Sequence, residues 1–207
     1  MSVSELVANK LSRMKRGVPF SIGGFYSLGT TTSVQKAMSR LTKTGKVTRV
    51  AKGIYSRPKP LLSIPSIKIT AKAEDVAKTW ARTHKYKITI QGLEAAYRLG
   101  LQTQAPVKTV YWTTGPSREF QVGNEIVQVR HTTERKLRWI NKPEGTLYRS
   151  LLTLSAEHTS ISTLLIAIKR LNLNKDESIH VIRKLSNSPA LGMWKSKLNE
   201  LEIGLCS

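Results

Sequence analysis

Between Thr32 and Arg57 the chain offers eleven side chains suited to gripping a polyanion: Thr32, Ser33, Gln35, Lys36, Ser39, Arg40, Lys43, Lys46, Arg49, Lys52 and Arg57. They are hydroxyls, one amide and cations, and no carboxylate occurs from Ser33 to Lys59. Lysine and arginine neutralise phosphates and release counterions, while an amide or ammonium near a helix start can reach base edges in a major groove. Gln35 and Lys36 are the candidates for base edges. Lys46, Arg49, Lys52 and Arg57 are the candidates for phosphates. Arg40 either buttresses the adjoining hairpin or touches a phosphate. The plain alternative for such a run is a solvated basic face. Against it stand the missing acids, a compact apolar stripe behind the donors and a glycine-turned basic hairpin directly after them.

Other chemistry finds little to work with. None of His84, His131, His158 and His180 has a second histidine, cysteine or carboxylate at metal-ligand spacing. Glu74 with Asp75, and Asp176 with Glu177, sit where helices start and complement the helix dipole there. No GxxxxGK[ST] or GxGxxG motif is present, and the glycines of "GGFYSLG" (Gly23 to Gly29) lack the helix-opening lysine of a phosphate loop. Trp80, Trp112, Trp139 and Trp194 fall in apolar patterns expected to be core, with Trp139 the one that could form a surface stacking platform. No nucleophile, base and oxyanion site assembles. The expectation is a protein that is not an enzyme and uses no cofactor or metal.

The elements that position the eleven donors can be read from periodicity. Ser4 to Lys15 reads as a helix with Leu6, Val7, Leu11 and Met14 on one face, Ser4 as its cap and Gly17 as its end. "VPFSI" is a short extended piece and "GGFYSLG" a short helical turn held by Phe25 and Leu28. Hydroxyls at Thr30 to Ser33 cap the next helix, where Val34, Ala37, Met38 and Leu41 recur at i, i+3, i+4 and i+7 and Gly45 supplies the stop. The period then changes to strand, with Gly53 in the left-handed position of a three-residue hairpin loop and Lys52 at its tip. "RPKP" reads as a linker or rigid exit. Helix, short strand, helix, helix and hairpin is the order of a winged helix-turn-helix.

Beyond it the expected fold class is α+β: residues 1–60 as the winged helix-turn-helix, 61–143 as a mixed sheet part and 144–207 as a helical part. Ala71 to His84 is helical with Ala73, Val76, Ala77 and Trp80 on one side. "YKITI" and "VKTVYWTT" are strands flanking a helix that ends near Gly100. Phe120, Val122, Val127 and Val129 alternate about a Gly123-Asn124 hairpin turn. Pro143 opens a helix through Leu154, and His158 to Leu171 forms another. Asn174 and Glu177 make a capping box, and Ser188-Pro189 is read as the N-cap and first residue of the last helix.

The totals agree with a polyanion partner. The 207 residues carry 34 Lys and Arg against 13 Asp and Glu, a net charge of +21. Such an excess destabilises a compact chain by self-repulsion unless a polyanion meets it. Residues 1–60 hold twelve of the cations and a single acid, Glu5. No apolar run approaches the length of a membrane span, Met1 to Gly17 is not expected to be a secretory leader, and one cysteine, Cys206, allows no internal disulfide. A reducing cytoplasm is the expected location. The basic stretches Arg82 to Lys87 and Arg130 to Arg138 are either a second binding surface or solvated rims.

The stretch "VQKAMSRLTKTGKVTRVAKGIYSRPK" resembles the N-terminal signature of the AbiE-type (type IV) antitoxin family of bacterial toxin–antitoxin and abortive-infection systems. The matching positions are Val34, Ala37, Arg40, Leu41, Gly45, Lys46, Arg49, Gly53, Tyr55 and Pro58. Gly92 and Ala95, Leu99 to Leu101, Thr103 to Pro106 and Gly115 to Arg118 resemble pieces of that family's second domain. The resemblance covers about residues 5 to 155. It implies an N-terminal domain that binds inverted repeats of double-stranded DNA in its own promoter and represses the operon, with two copies meeting on the DNA. It further implies a C-terminal antitoxin domain, 61–207, that counteracts a nucleotidyltransferase toxin in phage defence, without requiring a stable complex. A stand-alone mobile-element regulator with no toxin, an RNA-directed protein and an unrecognised nuclease are the alternatives.

Overall fold

The computed structural model describes residues 1–61 and 68–206. In chain order its elements are α1 (Val3–Ser12), β1 (Pro19–Ser21), a 3-10 helix (Ile22–Leu28), α2 (Thr31–Lys43), β2 (Thr48–Ala51), β3 (Ile54–Ser56), β4 (Lys59–Pro60), β5 (Lys68–Ile69), α3 (Ala73–Thr83), β6 (Ile88–Ile90), α4 (Gly92–Leu99), β7 (Thr109–Thr113), β8 (Arg118–Val122), β9 (Glu125–His131), a 3-10 turn (Glu134–Leu137), α5 (Pro143–Leu151), α6 (Ile161–Lys169), α7 (Lys175–Ser186), a 3-10 helix (Pro189–Trp194) and α8 (Lys195–Cys206). The chain is mixed α+β. It forms two units: Met1–Tyr86 with Ser117–Val129, and Lys87–Pro116 with Arg130–Ser207. The first unit is therefore larger than the 1–60 expected, because α3 and the 118–129 hairpin join it.

In the first unit α1 starts earlier than its sequence suggests. Ser2, not Ser4, caps it, accepting from the Glu5 N–H while the Glu5 carboxylate accepts from the Ser2 N–H at 2.8 Å. Such a capping box is worth about 1 kcal/mol. Val7 and Leu11 face Phe20, Ile22, Phe25, Val34, Ala37, Met38 and Val47 in one apolar cluster. Three short strands pair antiparallel in the order β1-β3-β2. "RPKP" is not a free linker: Lys59 and Pro60 pair antiparallel with Ile69 and Lys68. The α3 face Ala73, Val76, Ala77 and Trp80 is buried, as its spacing predicts. The hairpin β8–β9 turns at Gly123, φ +60, and sets Phe120 5.5 Å from the Trp80 ring. Its Glu125 accepts from the Ala73 N–H at 2.8 Å, so the cap of α3 comes from 52 residues away in sequence.

In the second unit β6 and β7 pair antiparallel, with Ile88 opposite Thr113. Leu147, Leu151, Leu164, Ile168, Ile182, Leu185, Trp194 and Leu198 belong to its core. Gly100 ends α4 in the left-handed conformation, and Asn174 with Glu177 forms the capping box of α7, both as read from sequence. Ser188 does not act as a side-chain cap. Its hydroxyl makes no cap hydrogen bond, and the segment after it is a 3-10 helix.

The central helix α5 buries polar groups along with its apolar ones: Glu144, Arg149 and Ser150. Lys184 donates to Glu144 at 2.6 Å. Burial alone would raise the Glu144 carboxyl, but the hydrogen bond and charge of Lys184, with a backbone N–H, more than reverse it, so its pKa lies below the ordinary 4.5. A depressed folded pKa contributes stability that is present above the unfolded value and lost as pH falls through the folded one. Glu144→Gln is therefore expected to cost about 1.5–3 kcal/mol at neutral pH. In urea unfolding, the gap between variant and parent should close as pH falls below the ordinary carboxylate range. A gap that does not change with pH would contradict this.

Candidate nucleic-acid interface

The helix α2 divides into two faces. Val34, Ala37 and Met38 are buried and Leu41 packs beside them. Thr32, Gln35, Lys36, Ser39, Arg40 and Lys43 point away from that cluster, and their spacing of three and four residues puts them on the opposite face. Thr30 caps the helix, its hydroxyl accepting from the Ser33 N–H at 3.3 Å and donating to the Ser33 hydroxyl at 2.9 Å. Ser33 is thus half-buried and already engaged at the cap. Thr31 lies outside the eleven expected residues, yet it is exposed one turn before Gln35. The signal for it was the threonine triplet that precedes Ser33.

The far end of α2 closes through Gly45, φ +68, with the Lys46 N–H donating to Leu41 O at 2.9 Å and the Gly45 N–H to Thr42 O at 3.0 Å. This is the Schellman pattern, and it delivers the chain into β2. Lys46 is exposed in that link. The hairpin turns at Lys52 and Gly53, φ +72, with a register shift between Arg49 and Ala51. The Gly53 carbonyl accepts from the Ile22 N–H at 2.9 Å, which anchors the turn to the 3-10 helix. Arg49 and Lys52 remain exposed.

Arg57 stands apart from the other ten. Its guanidinium donates to Ser12 O at 2.8 Å and to Met14 O, so it satisfies the carbonyls left over at the end of α1. Arg16 does similar work, donating to Pro58 O at 3.2 Å. With Asn9 and Lys46 these arginines line a cleft of about 560 Å³. Periodicity could not have separated Arg57 from Arg49, because its partners lie more than forty residues earlier.

The surface stays cationic because, among the described residues, no acid pairs with its side chains. Among the described residues none of Lys36, Arg40, Lys43, Lys46, Arg49 and Lys52 makes an ion pair. The pairs that form, Glu74–Lys78, Lys87–Glu134, Glu94–Arg98, Glu144–Lys184 and Glu202–Arg183, all lie beyond residue 72. Among the described residues the acid-poor face thus has no ion-pair partner, and its field reaches about one Debye length into solvent.

Two of the histidines lie against backbone carbonyls. His84 Nδ1 lies 2.8 Å from Trp80 O, and His131 Nδ1 lies 3.0 Å from Gly115 O. Trp80 and Trp194 are core residues, and Trp194 Nε1 donates to Leu151 O at 3.0 Å. Trp112 is half-buried with the Lys136 ammonium 5.3 Å from its ring. Among the described residues no three His, Cys, Asp or Glu side chains gather where they could hold a metal ion. Among them, too, no helix is long and apolar enough to cross a membrane.

No curated protein matches the chain. A solved structure with a similar trace is the crystal structure of the RV2827C protein from Mycobacterium tuberculosis. It is 13% identical, with a TM-score of 0.43 over 97% of this chain and 80% of that one. A family model matches residues 6–179, and the chain belongs to that family, the family of unknown function DUF6088.

Proposed function

We propose that this protein binds double-stranded DNA through a winged helix-turn-helix, with α2 as the recognition helix and the β2–β3 hairpin as the wing. It represses its own promoter at inverted repeats, one copy on each half-site, and acts in the cytoplasm as the antitoxin of an AbiE-type system against a nucleotidyltransferase toxin. One observation carries the reading. The exposed face of α2 is free of acids and continues directly into a hairpin whose tip is Lys52. A helix that enters a groove needs donors on its outer face, and a wing needs a cation at its tip to meet a phosphate.

The test is a salt titration of binding to the DNA upstream of the gene. Lys52→Ala is expected to weaken binding to all sequences alike and to reduce the slope of log affinity against log salt by about one unit. Binding that is unchanged at every salt concentration would remove the wing from the interface. The antitoxin role is tested by co-expression with the neighbouring nucleotidyltransferase, where growth should be restored. A locus with no such neighbour would favour a stand-alone regulator.

A further inference from the structure

The second unit holds a cationic cleft that the proposed DNA surface does not use. Its volume is about 450 Å³, and its walls include Arg138, Trp139, His180, Lys184, Ser188 and Pro189. Among the described lining residues none is a carboxylate. We propose that this cleft binds a nucleotide phosphate group, with the attached nucleoside laid against Trp139 and Pro189.

The cleft is built rather than incidental. Trp139 sits at φ +55, a left-handed backbone that costs a bulky L-residue energy and persists only when its surroundings enforce it. Here they do. The Trp139 carbonyl accepts from the Lys142 N–H at 3.0 Å, and its ring meets Tyr148 edge-on at 5.3 Å. Gly145 lies so close that a Cβ there would stand 1.8 Å from Trp139 O. The ring so held gathers cations. The Arg138 guanidinium lies 4.3 Å from its centroid and the Lys184 ammonium 5.0 Å. Lys184 is fixed from behind by Glu144.

Two buried groups stand unanswered nearby. Ser188 is only 4% exposed, and its hydroxyl has no hydrogen-bond partner among the described residues. Arg149 is 1% exposed, and its Nε and Nη1 also lack partners; Nη1 is 3.1 Å from the point a Gly145 Cβ would occupy. Arg149 Nη2 donates to Thr146 Oγ1 at 3.4 Å, but its other two nitrogens and the Ser188 hydroxyl are costly to leave without acceptors, and the buried guanidinium makes the local potential positive. A phosphoryl group supplies the acceptor oxygens that Arg138, Lys184 and Ser188 can use. The volume well exceeds that of inorganic phosphate, and the flat ring of Pro189, with the part of Trp139 that Arg138 and Lys184 leave uncovered, suits a planar base. A free nucleotide and the phosphorylated end of a nucleic acid share this chemistry.

The test is calorimetric titration of the full chain with ATP, with inorganic phosphate, and with a short single-stranded oligonucleotide carrying or lacking a 5′-phosphate. Saturable binding of ATP, or of the oligonucleotide only when phosphorylated, is expected, and the tighter of the two identifies the source. Arg138→Ala should weaken it at least about tenfold, and Ser188→Ala several-fold. Lys36→Ala with Arg40→Ala should leave it intact, which keeps this result separate from the DNA surface. Arg138 is exposed and lies over the face of Trp139, so its variant should keep the parent's melting curve. The inference is overturned if no phosphorylated ligand saturates the chain at millimolar concentration. It is equally overturned if inorganic phosphate binds as tightly as ATP, or if only the α2 variant loses binding.

Discussion

Gly145→Ala is expected to destabilise the second unit by about 3 kcal/mol or more, the cost of overpacking against rigid backbone. The new carbon would lie 1.8 Å from Trp139 O and 2.6 Å from Trp139 C, both backbone atoms that cannot rotate aside. Relief requires moving the Trp139–Lys142 turn or tilting α5. The first breaks the Lys142 to Trp139 hydrogen bond, and the second opens the core around Leu147 and Leu151. For a chain of this size a loss of that order lowers the Tm by about 6–12 °C. Gly204→Ala is the control. It lies in α8 with nothing within 4 Å of its added carbon, so it should be neutral or stabilising by about 0.5–1 kcal/mol. A thermal melt monitored by circular dichroism distinguishes them, and a Gly145→Ala melt coincident with the parent would contradict the packing described.

The second large effect is on DNA. Lys36→Glu together with Arg40→Glu is expected to lower affinity for promoter DNA at least about a hundredfold at about 0.1 M salt, with the salt slope reduced by about two units. Both side chains are exposed, one helical turn apart, and neither makes an ion pair among the described residues, so the fold should be undisturbed. The new carboxylates would repel phosphates where cations had attracted them. A variant that folds as the parent does and binds within about twofold of it would show that α2 does not face DNA.

What could be read in the sequence was local. The stripe Val34, Ala37, Met38 and Leu41 announced the buried side of α2, and Gly45 and Gly53 marked a cap and a turn that demand positive φ. The alternation about Gly123 gave the hairpin with Phe120, Val127 and Val129 inward. What could not be read was long-range. Nothing in the pattern around Arg57 says that its guanidinium closes the end of α1. Ser188 before Pro189 has the chemistry of a cap, but the 3-10 segment after it leaves the hydroxyl unused. Trp139 at positive φ depends on Gly145, six residues later, and no propensity links the two. Of the eleven donors, ten keep the placement their spacing gave them or lie at the cap, and Arg57 turned on a partner that spacing cannot see.

The discontinuous first unit has a consequence for synthesis. The Glu125 carboxylate that caps α3 and the Phe120 ring that covers Trp80 are encoded after the strands β6 and β7 of the other unit. When Pro60 leaves the ribosome the apolar face of α3 does not yet exist, and when it does it waits for the 118–129 hairpin to arrive. At about 5–20 residues per second the interval from Pro60 to Val129 is roughly 3–14 s. During that time a nascent chain this basic is held beside the ribosome's own RNA with the first unit unfinished. The order of emergence, rather than the strength of any one contact, then sets when the first unit is first complete.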